Sequence, residues 1–438
     1  MIKSIIPLSS IVALRFFGLF LVLPVISIYA INFTNSSTFL IGIAVGCYAL
    51  TQMIFQVPFG MISDKLGRKS TIIIGLIIFI IGSIICAISS NIYILILGRL
   101  LQGAGAISAV VTAMISDIVK EEQRPKAMAI MGASIALSFA IAMLAGPSIS
   151  SYFGMSSLFN ITAILTIISI YILIKYVPNP PKISHKYQTK THFSIILKDK
   201  NLIKMNITNF LQKGFMTFAF MIIPIILIQN FNWDLKELYK VYTPSMLFGL
   251  LAMGPATILA QKKGKYKEVL IVGILLFAIS FLTIGNSTSS IFFIIGVVIF
   301  FIGFNTHEPI MQSLATKFAK VHQRGLVLGV FNSFGYLGTF LGGLLGGIFF
   351  ENTPISTIVL YIAIICILWI ALIYTIPNPM NKKIVYINID TINKSKIENL
   401  NQNKHIDEWY INETENTLVI KYDMKSIDEN SIKEELQL

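Results

Sequence analysis

Gly60-Met61-Ile62-Ser63-Asp64-Lys65-Leu66-Gly67-Arg68-Lys69 is a short charged stretch set between two long apolar runs. The run over 38–62 reads as one membrane-spanning helix and the run over 70–89 as the next. Four ionised side chains, Asp64, Lys65, Arg68 and Lys69, are too costly to leave in hydrocarbon, so the stretch between the runs is a tight loop at a bilayer face. Its excess of Lys and Arg assigns that face to the cytoplasm. Gly67 supplies a turn conformation that few other residues tolerate. Gly60 removes a side chain where a neighbouring helix can approach. Asp64 stands at a helix end, placed to pair with a cation or with the positive N-terminus of another helix.

Composition agrees with a membrane setting. Of 438 residues, 55% are hydrophobic and 13% charged, against about 25% charged in a soluble globular chain; the mean hydropathy is +0.76. A net charge of +13 suggests nucleic acid at first sight, but the basic residues lie in loops between apolar runs, which is a topology signal. No nucleic-acid partner is therefore expected. Cys47, Cys86 and Cys366 fall inside apolar runs with no metal or disulfide spacing and read as buried thiols. The N-terminal run 5–31 is too long for a signal-peptide core and reads as a retained span.

Twelve segments are long and apolar enough to span a bilayer: 5–31, 38–62, 70–89, 93–118, 127–151, 157–177, 202–229, 237–260, 267–287, 290–315, 326–350 and 356–378. The loops Asn32 to Ser37, Ser90 to Ile92, Tyr152 to Ser156 and Asn286 to Ser289 carry no Lys or Arg, and Lys236 is the exception on that side. The opposite loops hold Lys65, Arg68, Lys69, Lys120, Arg124 and Lys126, then Lys262, Lys263, Lys265, Lys267, Lys317, Lys320 and Arg324. This asymmetry puts both termini in the cytoplasm. The expected organisation is a six-helix bundle over 1–177, a cytoplasmic linker over 178–201, a second six-helix bundle over 202–379 and a cytoplasmic domain over 380–438. The bundles read as copies. Tyr176-Val177-Pro178-Asn179-Pro180 closes the first and Thr375-Ile376-Pro377-Asn378-Pro379 the second, while Gln123-Arg124 and Gln323-Arg324 precede the fifth and eleventh spans, both pairs about 200 residues apart.

The pattern Gly-x-x-x-Asp-Lys-x-Gly-Arg-Lys over 60–69 resembles the signature loop of the major facilitator superfamily of secondary transporters. Arg99-Leu100-Leu101-Gln102-Gly103-Ala104-Gly105 in span four resembles a second motif of that superfamily, Arg-x-x-Gln-Gly-x-Gly. Gly132 and Gly146-Pro147 in span five fit the skeleton of a third. There the sequence departs from the glycine-rich pattern of drug-exporting members, with Ala142, Ser148, Ile149 and Ser150 at several of its positions. The resemblance implies an all-α polytopic fold of two six-helix bundles. It implies that the 60–69 loop latches the outward-facing state, with Asp64 against the start of span eleven near Leu326 and Asp117 as partner of Arg68. It gives Arg99, with Gln102 near the same face, a part in proton transfer, and gives Gly103, Gly105, Gly146 and Pro147 a part in helix packing.

Charges inside spans suggest function. Arg15 lies about 15 Å into span one at 1.5 Å per residue, ahead of a kink at Pro24. Glu308, with Asn305 and His307, is the acidic residue placed deep in the second half. Desolvation favours reversible protonation of such a carboxyl, and histidine titrates near neutrality. Adjacent helix residues do not share a face, so His307 and Glu308 need not cooperate. Lys213 is a weaker candidate, because this chain uses lysine heavily. Structural ion pairing between helices explains Arg15 or Glu308 equally well.

After Pro379 the chain turns polar. Residues 384–390 alternate as a strand, Ile397 and Leu400 mark a short helix, 406–412 and 417–423 form a hairpin, and Ile432 and Leu436 mark a closing helix. This order resembles a small α+β ferredoxin-like domain. It has no cysteine pair, so no metal and no cofactor are expected. With this tail, the whole chain resembles a group of bacterial inner-membrane transporters among the proton-coupled drug exporters. The expected function is proton-coupled export of a small amphipathic compound by alternating access; the alternatives are proton-coupled import of a metabolite, or a membrane sensor signalling through the tail. Expected partners are the small-molecule substrate, protons and the lipid bilayer, with a cytoplasmic partner or self-association through the tail. The loops contain no nucleophile–base or metal constellation of an enzyme.

Overall fold

A computed structural model describes the chain except Met1 and residues 179–196, 320–323, 378–381, 393–396, 398–399, 401–402, 404, 413–414, 425 and 437–438. Most of the linker expected over 178–201 lies outside the described residues. Span one is α1 (Ile2–Val22) and α2 (Ile26–Ile31). They are separated at Leu23-Pro24-Val25, where proline has no N–H to continue the ladder. Spans two and three are α3 (Thr38–Leu66) and α4 (Arg68–Ile88). Ser37 caps α3 by accepting from the Leu40 N–H. Gly67 joins α3 to α4 at φ 90°, a conformation that costs a side-chain-bearing residue.

Span four is broken into α5 (Ile92–Ala104) and α6 (Ser108–Ile118). The break, which hydropathy does not reveal, falls at the close of the Arg99–Gly105 motif. A Cβ on Gly105 would fall on the Gly75 carbonyl of α4, so the backbone itself is the packing surface there. Spans five and six form one run, α7 (Arg124–Tyr176), with Gly154 at φ 75° as its single non-helical residue. The loop expected over Tyr152 to Ser156 is thus contracted to a glycine kink. The second half comprises α8 (Lys200–Phe231), α9 (Tyr239–Gln261), α10 (Tyr266–Gly285), α11 (Ser290–Phe318), α12 (Arg324–Asn352) and α13 (Ile355–Tyr374). Among the described residues, eleven helices are long and apolar enough to cross a membrane, and one of them, Lys126–Tyr176, is 51 residues long. At 1.5 Å per residue that helix is long enough for two spans, and twelve crossings follow.

The tail folds as β1 (Lys382–Asn388), β2 (Ile406–Asn412), β3 (Thr417–Asp423) and α14 (Glu429–Glu435). The sheet is antiparallel in the order β1-β3-β2, consistent with a ferredoxin-like arrangement. Leu418, Ile420 and Tyr422 pack with Ile397, Leu400, Ile432 and Leu436 on one face. Asp428 accepts from the backbone and hydroxyl of Ser431 at 2.8 and 2.5 Å, and these bonds, the hydroxyl first, hold its carboxyl below the usual range. The sign follows from the lowered value: the cap contributes above the unfolded carboxylate pKa of about 3.9 and is lost as pH falls through the lower folded value. Asp428→Asn is therefore expected to flatten this acid dependence of tail unfolding, read by circular dichroism.

The two halves meet over α3 and α12. A Cβ on Gly42 would fall on the Gly343 carbonyl, one on Gly46 would meet Phe340, and one on Gly347 would meet the Thr38 carbonyl at 2.5 Å. Small residues let these backbones touch, which is how helices associate where no hydrophobic effect drives them. This seam lies toward the end of the bundle opposite the Gly60–Lys69 loop. On that same far side Lys236 lies 5.7 Å from the Tyr152 ring, across the two halves. Toward the loop end the halves part. No described atom comes within 4 Å of a Cβ built on Gly60, Gly325 or Gly329.

Candidate functional site

Three polar clusters interrupt the apolar interior. At the loop end, Arg68 donates through Nε to Asp117 at 2.8 Å, through Nη1 to Asp64 at 2.6 Å and through Nη1 to Ser63 Oγ at 2.5 Å. The Asp64 side chain is 66% exposed and pairs with Arg68 of its own half. Among the described residues, the contact with the start of span eleven implied by the superfamily resemblance is not seen. The Arg68–Asp117 pair is part-buried and joins α4 to α6, so it fastens a loop to the end of a broken span. A double-mutant cycle of Arg68→Gln and Asp117→Asn is expected to return a coupling energy of about 1 kcal/mol, read from thermal unfolding.

The second cluster lies within the first half. Arg99 is fully buried. It donates to Gln102 Oε1 at 2.9 Å and to the carbonyls of Ala44 and Val45 at 3.3 and 3.4 Å, and its guanidinium lies 4.4 Å from the Tyr48 ring. Gln102 donates onward to Ser83 Oγ at 2.9 Å. Gly103 permits this arrangement, because a Cβ there would collide with the Tyr48 carbonyl and Thr51 Oγ1. Gly146 plays the same geometric part against the Leu21 carbonyl beside the break in span one, with Pro24 Cγ at 3.4 Å. Arg15, also fully buried, donates weakly to Gln52 Oε1 at 3.4 Å and to the Gln102 carbonyl at 3.5 Å, while its Nε and Nη1 find no hydrogen-bond partner among the described residues. Its charge is held against the ring of Phe79 at 5.0 Å. Among the described residues no carboxylate stands within ion-pair distance of Arg15 or Arg99. Gln52 donates to Tyr336 Oη at 2.8 Å, a hydrogen bond across the two halves.

The third cluster belongs to the second half. Glu308 accepts from Lys213 Nζ at 2.8 Å and from Gln212 Nε2 at 3.1 Å. Both ends of the pair remain partly open, with side chains 23% and 31% exposed for Lys213 and Glu308. Lys213 also lies 5.1 Å from the Phe304 ring, and Phe304 packs on Phe139 of the first half at 5.8 Å. His307 points elsewhere, bonding the Leu270 carbonyl at 2.7 Å beside Trp369. The adjacent His307 and Glu308 thus serve different neighbours. Gln52 and Tyr336 carry no motif and were legible only as polar groups in apolar runs. Lys213, a weaker candidate by sequence, pairs with Glu308.

Two helical bundles joined by glycine-lined helices, with charged side chains held inside their spans, define a polytopic membrane protein of the transporter class. The chain belongs to the Major Facilitator Superfamily, which it matches over residues 8–267 and 205–387. It is 33% identical over 98% of its length to the inner membrane transport protein YajR of Escherichia coli, of which 96% is covered. It is 29% identical over 80% of its length to the quinolone resistance protein NorA of Staphylococcus aureus, of which 90% is covered. Its fold matches that of a D-xylose-proton symporter with a TM-score of 0.71, at 14% identity, covering 86% of this chain and 98% of that one. It is accordingly a multi-pass inner-membrane transporter, and its family and structural neighbours are transporters rather than enzymes.

Proposed function

We propose that the protein is a proton-coupled antiporter that exports a small amphipathic compound by rocking its two halves. The observation that carries this reading is the Glu308–Lys213 pair, a carboxylate and an ammonium held at 2.8 Å where the halves part and water has access. Protonating Glu308 cancels one charge of the pair and weakens the hold of Lys213, so a proton arriving from one side can alter the packing around Phe304 and Phe139. The loop end is taken as cytoplasmic from its Lys and Arg excess, which makes the present state inward-open. In this reading Gly60, Asp64, Gly67, Arg68 and Asp117 form the latch that closes on span eleven in the opposite state. Arg15, Arg99 and Gln102 keep the first half polar along the pathway. The likeness to NorA favours export over import. The test is flux in proteoliposomes under an imposed pH gradient, across a panel of amphipathic compounds. Accumulation against the gradient direction of protons supports antiport. Flux that is indifferent to the gradient, at intact turnover, contradicts proton coupling, and flux in the direction of the protons indicates symport.

A further inference from the structure

The tail has a second buried face. Along β3, Leu418, Ile420 and Tyr422 turn to the tail's own core. By the alternation of a strand, Val419 and Lys421 must point the other way. A small sheet covered by helices on one side ordinarily leaves such residues in water, yet Val419 is 1% and Lys421 8% exposed. For Lys421 the reason is docking. Lys421 Nζ donates to the carbonyls of Lys317 and Ala319, at 3.0 and 2.9 Å. Lys317 lies in the last turn of α11 and Ala319 is its C-cap, the end where carbonyls lack helical partners and the helix dipole is negative. Lysine is suited to this position by both charge and reach. At the connection between β2 and β3, Glu415 lies in an ion pair with Arg124 Nη2 at 3.7 Å. Arg124 opens α7 in the first half, whereas α11 belongs to the second.

We infer that the tail is a strap across the two halves at the loop end, fixed to the second half through Lys421 and reversibly engaged with the first through Glu415–Arg124, and that its engagement favours the state in which that end is open. The inference rests on the alternating-access reading. The geometry is one of unequal grips. A buried ammonium on two carbonyls is a firm anchor, because leaving the charge buried without them is costly. A part-exposed pair at 3.7 Å is a weak contact that small rearrangements break. Closing the loop end must change the separation of Arg124 from Lys317, since one belongs to each half. Both grips can then hold in only one of the two states, and the strap biases the equilibrium by its contacts in that state. The three native cysteines are buried, which leaves introduced surface cysteines free to be labelled selectively.

The test uses the full-length protein in lipid nanodiscs, spin-labelled at Lys65→Cys and Lys262→Cys, exposed positions at the loop end of the two halves. Pulsed dipolar spectroscopy reads the weights of the long and short distances. Lys421→Met keeps the aliphatic stem and removes the donors. It is expected to lower the ratio of open to closed populations at the loop end by roughly tenfold. Glu415→Arg alone is expected to shift the ratio in the same direction by about threefold, and Arg124→Glu combined with Glu415→Arg to restore it. That exchange does not depend on the folding of the Lys421 variant. A wild type with two distances whose weights are unchanged in Lys421→Met and Glu415→Arg overturns the strap while leaving alternating access intact. A wild type with a single distance in every condition overturns the two-state reading and the strap with it.

Discussion

Gly103→Ala is expected to destabilise the transporter by about 3 kcal/mol or more, and Gly103→Val to prevent its accumulation in the membrane. A Cβ at this position would collide with the Tyr48 carbonyl and with Thr51 Oγ1. Neither obstacle can rotate away: one is backbone, and the other is committed to the Leu100 carbonyl at 2.8 Å. Helices α3 and α5 could separate only by breaking that bond and the contacts of Arg99 with Ala44 and Val45, which would strand a buried guanidinium. Gly60→Ala is the matched control. It also replaces a glycine of the quoted motifs, but no described atom lies within 4 Å of the added carbon. Its effect on stability in the present state is expected to stay within about 0.5 kcal/mol. Thermal unfolding of the purified variants reads both.

Glu308→Gln is expected to cut pH-gradient-driven flux on the order of 100-fold, the range expected when a positioned proton-transfer group is lost. Glutamine keeps the shape and can still accept from Gln212 and Lys213, but it cannot take up a proton. Ligand-dependent thermal stabilisation should persist in the variant, because binding and proton transfer are then separated. Lys213→Met together with Glu308→Gln removes the unpaired ammonium as well. It should recover stability lost by the single variant without recovering coupling. A lumenal pH indicator in proteoliposomes distinguishes these outcomes, and unchanged coupling in Glu308→Gln would remove this carboxylate as the proton carrier.

Much of the architecture was legible because bilayers impose strong constraints. Span length, the Lys and Arg asymmetry and the loop motif each follow from the cost of moving charge or unpaired backbone into hydrocarbon. The tail was legible for a different reason: the alternation in 406–412 and 417–423 is the period of a half-buried strand, and the hairpin forms there. Less could be read where backbone geometry rather than hydropathy decides. The break in span four at Gly105 to Ile107 occurs inside an apolar run, and the turn expected at Tyr152 to Ser156 reduces to Gly154. The polar clusters were half legible. Arg15, Arg99 and Glu308 stand out as charges in apolar runs, but their partners are set by tertiary contact. Lys213 is one of many lysines in the sequence and only the fold sets it on Glu308, as only the fold sets Tyr336 on Gln52. Asp64 illustrates the remaining gap. A sequence encodes contacts of every state, and among the described residues the contact implied for Asp64 is not seen here.

The measurement that bears most directly on alternating access needs no known substrate. Lys65→Cys and Leu326→Cys place a thiol on each half at the loop end, and Phe220→Cys places a reporter where Phe220 now packs against Phe139 across the halves. Oxidative closure of the first pair should raise the reactivity of the reporter toward a membrane-impermeant maleimide added from the far side by at least tenfold, and reduction should reverse it. A protein that crosslinks fully at the loop end while the reporter remains unreactive from the far side would show that the two ends do not open in alternation.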